Sequence, residues 1–474
     1  ICIQSVEMSM QVELDKYYTN ETLLSWVGIL SSALKVQTQG GEDHASWKVR
    51  KTALRLCGKL FHYLSVISAY RKSPTIVAAL KALSEKIMNI VQPLCEFIDS
   101  SRLTPGKIPE RVLAQALRTL SQALTADACV TIIKPYFNQL VFETLLPLLS
   151  TPKDIQDSLK DDPIEYIKEE SEESDWGVRA EAERVIKTIS RLTVDSTQPF
   201  VLTLTNRLIE WFTKNKEVLT NSQPSAQVIR ELSCILRLLT AVAEILGEED
   251  ELPECIIPLF QTHLPPLILN PPSPHIHYQL AMLLQRYLIY LPEDMVPVST
   301  LSTILTSLMS SPLLCLQYAG LVFLSSALST HPALQTSITN VQSLLKQIFE
   351  LSSQLPLEST LAALHAVLKG LGDSLGTHRA DCILSLLINW QSLLGAGSGD
   401  QDEATRLSEG RERCLEAVHS LVKSAKNWQS SPQVEEMLVK VLNQSIIAHD
   451  EFSTERIVWK LAPDICTNIE KKLK

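Results

Sequence analysis

Glycine is scarce in this chain, 15 of 474 residues. Phosphate-cradling glycine loops therefore have little material, and the spacing in "GAGSGD" around Ser398 fits neither a dinucleotide fingerprint nor a nucleophile elbow. None of the ten cysteines forms a C-x-x-C pair, and most stand among Leu, Ile and Val. That excludes a disulfide or zinc framework and suits reduced, buried thiols in the cytosol or nucleus. An excess of positive charge is missing too: 43 Lys and Arg face 53 Asp and Glu, a net charge of −10. Nucleic acid is thereby disfavoured as the main partner, and a basic protein surface suits better. No charged residue lies between Asp294 and Lys346. Within that stretch "SPLLCLQYAGLVFLSSALS" (311–329) approaches membrane-spanning length. Ser311, Gln317, Ser325, Ser326 and Ser329 interrupt it and no basic cluster flanks it, so it reads as a helix buried on most sides, not a membrane span. The first residues lack a signal-peptide layout, and Ile1 in place of Met suggests a fragment that begins inside a helix.

What is present is helix. In "RVLAQALRTLSQAL" the residues Val112, Leu113, Ala116, Leu117, Leu120 and Leu124 make one apolar stripe beside Arg111 and Arg118. The chain exceeds the roughly 250–300 residues that one core supports, so it is several domains or an elongated array. Internal repeats decide for the array. "WKVRKTA" (47–53) recurs as "WGVRAEA" (176–182), 129 residues on, or three units of 43; HEAT-type helix pairs run about 40–47 residues. "SPHIHYQLAML" (273–283) recurs as "SPLLCLQYAGL" (311–321) after 38 residues. Ser before Pro supplies a helix cap and a first helical residue that needs no amide donor. The repeated Ala53, Ala182, Ala281 and Ala319 let a neighbouring helix approach closely. The expected fold is an all-α, armadillo-like HEAT-repeat solenoid, a right-handed superhelix, forming one continuous array over 1–474.

Candidate chemistry is sparse. "HIH" (275–277) offers two imidazoles on a loop without a third ligand and reads as structural or surface, so no metal, cofactor or catalytic residue is expected. Lys48, Arg50, Lys51, Arg55 and Lys59 read as a solvated outer face. Trp47, Trp176, Trp211 and Trp459 read as core anchors. One acidic inter-helix segment, 150–176, stands out: Asp161, Asp162, Glu165, Glu169, Glu170, Glu172, Glu173 and Asp175 crowd together against Lys168. Asp161 or Asp162 can cap a short helix starting at Pro163, with Glu165 in its first turn and Tyr166 and Ile167 packed inward. The remaining acids exceed any capping need, and such a surface attracts Lys/Arg-rich partners.

Two stretches carry a resemblance. "SWKVRKTALRLCGKLF" (46–61) follows the Trp-containing "ETLLSWVGIL" (21–30), and "LVFETLLPLLS" (140–150) leads to "DDPIEYIK" (161–168). In these the chain resembles the importin-β superfamily of nuclear transport receptors, most nearly the importin seven and eight type. Leu159 stands where that group tends to have Trp, and Lys168 where it has Arg. The Asp-Pro-x-Glu-Tyr-Ile segment also occurs in the exporter of importin-α. The resemblance implies a receptor that wraps basic protein cargo under Ran-GTP control and moves between cytoplasm and nucleus through the nuclear pore at the nuclear envelope. It further implies contacts with phenylalanine-glycine nucleoporins, for which the uncharged 295–345 region offers apolar grooves. The main Ran-binding repeats are expected upstream of Ile1, and further repeats beyond Lys474. An export receptor or a static HEAT scaffold would share the pattern. The acids are expected to face the concave side and to meet cargo or Ran.

Overall fold

The stripe in "RVLAQALRTLSQAL" forms as its spacing predicts: Glu110–Ala123 is helical, and Val112, Leu113, Ala116, Leu117, Leu120 and Leu124 are all buried. In the computed structural model the described residues are 28–33, 44–70, 88–103, 108–170, 177–195, 198–221, 224–248, 252–293, 295–338, 340–395, 401–424 and 432–447. They form two compact units, one within 1–152 and 168–257, the other within 153–167 and 258–474.

In the first unit the helices are α1 (His44–Tyr70), α2 (Met88–Leu103), α3 (Glu110–Ala123), an irregular α4 (127–148), α7 (Val178–Ser190), α8 (Phe200–Asn221) and α9 (Ala226–Leu246). A short antiparallel ladder, β1 (Thr193–Asp195) with β2 (Gln198–Pro199), joins α7 to α8. Helices α1, α3, α7 and α9 stack side by side as one layer, and α2, α4 and α8 pack on them as the second. Helix α4 holds a 3₁₀ turn at Lys134–Tyr136 and a π turn at Leu140–Leu145. Pro147 follows that π turn, and the proline pair 265–266 follows a second one at Leu259–His263. A proline lacks the amide for the i−4 carbonyl and its ring crowds it, so the widened turn relieves both problems.

The second unit repeats the scheme. It begins with α5 (Lys153–Asp161) and the start of α6 (Pro163–Glu170), then runs through α10 (Leu264–Leu269) and α11 (Pro274–Tyr287). Next come α12 (Val298–Met309), α13 (Leu314–Thr330), α14 (Ala333–Ser337), α15 (Val341–Gln354), α16 (Glu358–Leu371), α17 (Arg379–Gly395), α18 (Gln401–Ser424) and α19 (Pro432–Ile447). Helices α11, α13, α16 and α18 stack in order, with α12, α15, α17 and α19 as the other layer. The segment read as helix over 296–309 is helical from Val298 to Met309, in α12, with Pro297 just before it. Helix α13, the core of the long apolar segment, is covered by α11, α12 and α16, and no helix among the described residues is long and apolar enough to cross a membrane. Its Gly320 is needed for that packing, because a Cβ there would lie 3.0 Å from Leu308 Cβ. The fold is therefore an all-α array of HEAT-type helix pairs, each hiding its apolar stripe against its neighbours.

Three expectations change. The two tryptophan motifs begin α1 and α7, which both pack on α3, so they stand two pairs apart and not three. The first-layer helices start at 274, 314, 358 and 401 in the second unit, close to the expected period, but at 44, 110, 178 and 226 in the first. Helices α5 and α6 lie between α3 and α7 in the chain and lengthen that interval. The two Ser-Pro copies also differ. Ser273 caps α11 by accepting from the Ile276 amide at 3.2 Å, whereas α13 starts only at Leu314 and Ser311 accepts from Leu313 instead. Finally, "HIH" is no loop but the first turn of α11, where His275 and His277 are buried. Ala53, Ala182, Ala281 and Ala319 are buried as expected. Trp47 is buried against Phe97, and the Trp211 indole donates to Glu231 at 3.2 Å. Trp176, Ser398 and Trp459 lie outside the described residues.

Candidate protein-binding surface

Among its described residues, the acidic segment is mostly helical. Asp162 caps α6: its carboxylate accepts from the Glu165 amide at 3.0 Å, and its carbonyl accepts from the Tyr166 amide at 3.0 Å. Tyr166 and Ile167 are fully buried, as the sequence predicts. Helix α5 was not anticipated. Its signal is faint, one buried Leu159 and a half-buried Ile155 on an otherwise charged turn.

Within the second unit, α5 and the start of α6 are anchored by three aromatic rings and a thiol. The Tyr166 hydroxyl lies 2.7 Å from His275 Nδ1, and its ring meets Tyr278 edge-on at 5.1 Å. Cys315 donates to the carbonyls of Leu159 at 3.4 Å and Pro163 at 3.7 Å. Burial, then the Asp162 charge, pushes that thiol up to about 12, so it stays neutral. Anchored this way, the segment turns Asp154, Asp157, Asp161, Asp162 and Glu165 to solvent, with Lys153 and Lys160 the exposed cations among them. Asp154, Asp157 and Asp161 follow three- and four-residue steps and form a row on α5.

The acids on the first-unit side behave differently. The Glu170 side chain is only 3% exposed; it accepts from Thr151 at 2.9 Å and pairs with Arg179 at 2.6 Å and Arg237 at 3.3 Å. Glu169 is 37% exposed and pairs with Arg179 at 3.6 Å, while its carbonyl also accepts from Arg179. The network runs on: Arg237 pairs with Glu183 at 3.3 Å, Glu183 with Lys187 at 3.3 Å, and buried Glu181 bonds Arg118 at 2.8 Å and Arg184 at 2.7 Å. Glu170 is thus consumed inside the fold. Its partner Arg179 lies in the second tryptophan motif, but no sequence pattern marks Arg237. Glu172, Glu173 and Asp175 lie outside the described residues. Lys48, Lys51 and Arg55 are exposed on α1, whereas Arg50 lies over the rings of Trp47 at 4.9 Å and Phe97 at 5.9 Å. No group of three or more metal-ligating side chains is gathered among the described residues.

No family model matches the sequence, and no curated protein matches it. Solved structures do. The chain is similar to Lph2, a bidirectional nuclear transport receptor of S. cerevisiae, at 14% identity and a TM-score of 0.54, over 94% of this chain and 56% of that one. Yeast importin-beta (Kap95p) aligns over 94% of this chain and 58% of its own at 12% identity, with a TM-score of 0.48. The chain thus spans little more than half the length of these receptors. The likeness to Lph2 is one of fold, an array of paired helices; neither comparison singles out the importin seven and eight type.

Proposed function

We propose that this chain is part of a nuclear transport receptor of the importin-β superfamily, near the importin seven and eight type, and that it carries basic protein cargo into the nucleus. The observation that carries the reading is the anchored α5–α6 segment, whose Asp157, Asp161, Asp162 and Glu165 stay in solvent while Tyr166 is locked below them. Fixed carboxylates steer a Lys/Arg-rich surface and hold it at low salt, with the field screened beyond about 8 Å in physiological salt. Paired-helix arrays suit cargo exchange because small rotations between repeats sum to a change in curvature. Ran-GTP and cargo need only prefer different curvatures to displace one another, at a coupling of about 1–3 kcal/mol. Passage between cytoplasm and nucleus would use phenylalanine-glycine nucleoporins, outside the acidic segment. Support comes from the fold shared with Lph2 and from the two resembling stretches.

The test is a pull-down of a fluorescent protein fused to a Lys/Arg-rich peptide, with and without Ran-GTP, using the full-length protein that contains this chain. Release by Ran-GTP supports import. Gain of cargo with Ran-GTP would mark an export receptor instead, and nucleotide-independent binding would mark a static scaffold. Lys in place of Asp157, Asp161 and Glu165 should weaken cargo binding about tenfold at low salt, equivalent to 1.4 kcal/mol. Unchanged affinity would remove the acidic segment from the reading.

A further inference from the structure

A cleft of about 360 Å³ opens between α2 and α4 in the first unit, within the roughly 300–1,000 Å³ typical of ligand sites. Buried Val91, Ile133 and Leu140 line it, so its interior is apolar. Tyr136 lines it as well and is 60% exposed, an unusual place for a large ring. The irregular shape of α4 makes the opening. The 3₁₀ turn ends at Tyr136, and the π turn carries Leu140 and Thr144 to the same wall.

Charge decides what fits. Glu96 and Asp99 line the α2 side, and among the described residues no Lys or Arg lines the cleft. The exposed Glu96 carboxylate accepts from the neutral Gln92 amide at 2.8 Å, and Asp99 accepts from the Thr144 hydroxyl at 3.0 Å. The neutral Gln92 donor orients the Glu96 carboxylate without cancelling its charge, and the Tyr136 ring offers a face to a cation. We propose that the α2–α4 cleft binds a short segment of a partner protein that inserts one large aliphatic or aromatic side chain beside a Lys or Arg. An apolar anchor takes the interior and the neighbouring cation meets Glu96. The site is distinct from the α5–α6 surface and does not depend on the transport reading, since a scaffold could use it equally.

Three fluorescein-labelled peptides test it by anisotropy against the whole 474-residue chain. One carries Phe-Arg-Lys within a Gly-Ser context, one has Ala for Phe, and one has Glu-Glu for Arg-Lys. The first should bind at least about tenfold tighter than either other. Glu96→Lys should weaken it about fivefold or more and raise the affinity of the Glu-Glu peptide, a charge swap that loss of folding cannot produce. Tyr136→Ser, at an exposed position, should weaken the first peptide alone. A photo-crosslinker replacing the Phe ring should map to α2 or α4. Equal binding of the three peptides, an unaltered preference in Glu96→Lys, or crosslinks confined to 153–170 would overturn the proposal.

Discussion

The hydroxyl of Tyr166 lies 2.7 Å from Nδ1 of His275, joining residues 109 positions apart in the chain. Both side chains are buried, and their rings meet edge-on at 6.0 Å. This hydrogen bond is one of the anchors, with the Tyr278 ring and the Cys315 thiol, that hold 153–167 within the second unit. Tyr166→Phe keeps the ring and removes the hydroxyl, and with it a buried hydrogen bond to His275. It should cost about 1–2 kcal/mol in urea unfolding and speed amide exchange in 153–167. Exchange unchanged in that segment would mean that ring packing and the Cys315 contacts hold it without this bond.

Glu170 is the internal counterion of Arg179 and Arg237, which are only 12% and 11% exposed. Removing it strips a charge from a buried network, so Glu170→Ala should cost about 3 kcal/mol, near the lower end for a broken buried pair. Arg191 and Glu248 pair at 3.0 Å, but both are more than half exposed. Solvent screens them, and Arg191→Ala should cost less than about 1 kcal/mol. Denaturant midpoints of the two variants provide the comparison.

Two helical glycines should respond in opposite directions to alanine. At Gly370 in α16 a Cβ would lie 2.9 Å from Leu328 Cβ, an atom fixed to the α13 backbone. Gly370→Ala should therefore destabilise by about 1–3 kcal/mol through overpacking. At Gly410 in α18 the nearest atoms are the far ends of Leu361 and Leu393, each at 3.3 Å. Those can rotate aside, and Gly410→Ala should be neutral or stabilise by up to about 1 kcal/mol.

Burial lowers the pKa of His277, His331 and His365. The nearby carboxylates Glu293 and Glu416 oppose this at His331 and His365, and Lys369 and Arg413 add to it at His365. Each imidazole takes its proton more readily in the unfolded chain. The stability this confers is complete above the unfolded value of about 6.5 and is lost as the pH falls below it. Urea midpoints should therefore drop between about pH 7 and 5.5. His277→Met, at a side chain whose Nε2 has no hydrogen-bond partner among the described residues, should flatten part of that slope. An unchanged slope would place the titration elsewhere.

The repeated motif shows how far sequence carried the fold. "WKVRKTA" and "WGVRAEA" do open two equivalent first-layer helices, and Ala53 and Ala182 are buried in both. The count of repeats between them went astray, because periodicity registers distance along the chain and not which residues lie in connections. Nor did equal motif positions mean equal work. Arg50 lies on the aromatic faces of Trp47 and Phe97, while Arg179 neutralises Glu169 and Glu170. Within the candidate site, the Asp162 cap and the burial of Tyr166 were legible, being local consequences of Pro163 and helix-end chemistry. The fate of Glu170 was not, because Arg237 reaches it from 67 residues away.

Helix, apolar stripe and the caps at Asp162 and Ser273 were written in the sequence alone, for they depend on residues three to five positions apart and on the need to hide an apolar face. Only the tertiary structure decided which carboxylates remain in solvent and which are already matched. An ion pair forms wherever folding brings opposite charges together, at any separation along the chain, and no local pattern announces it.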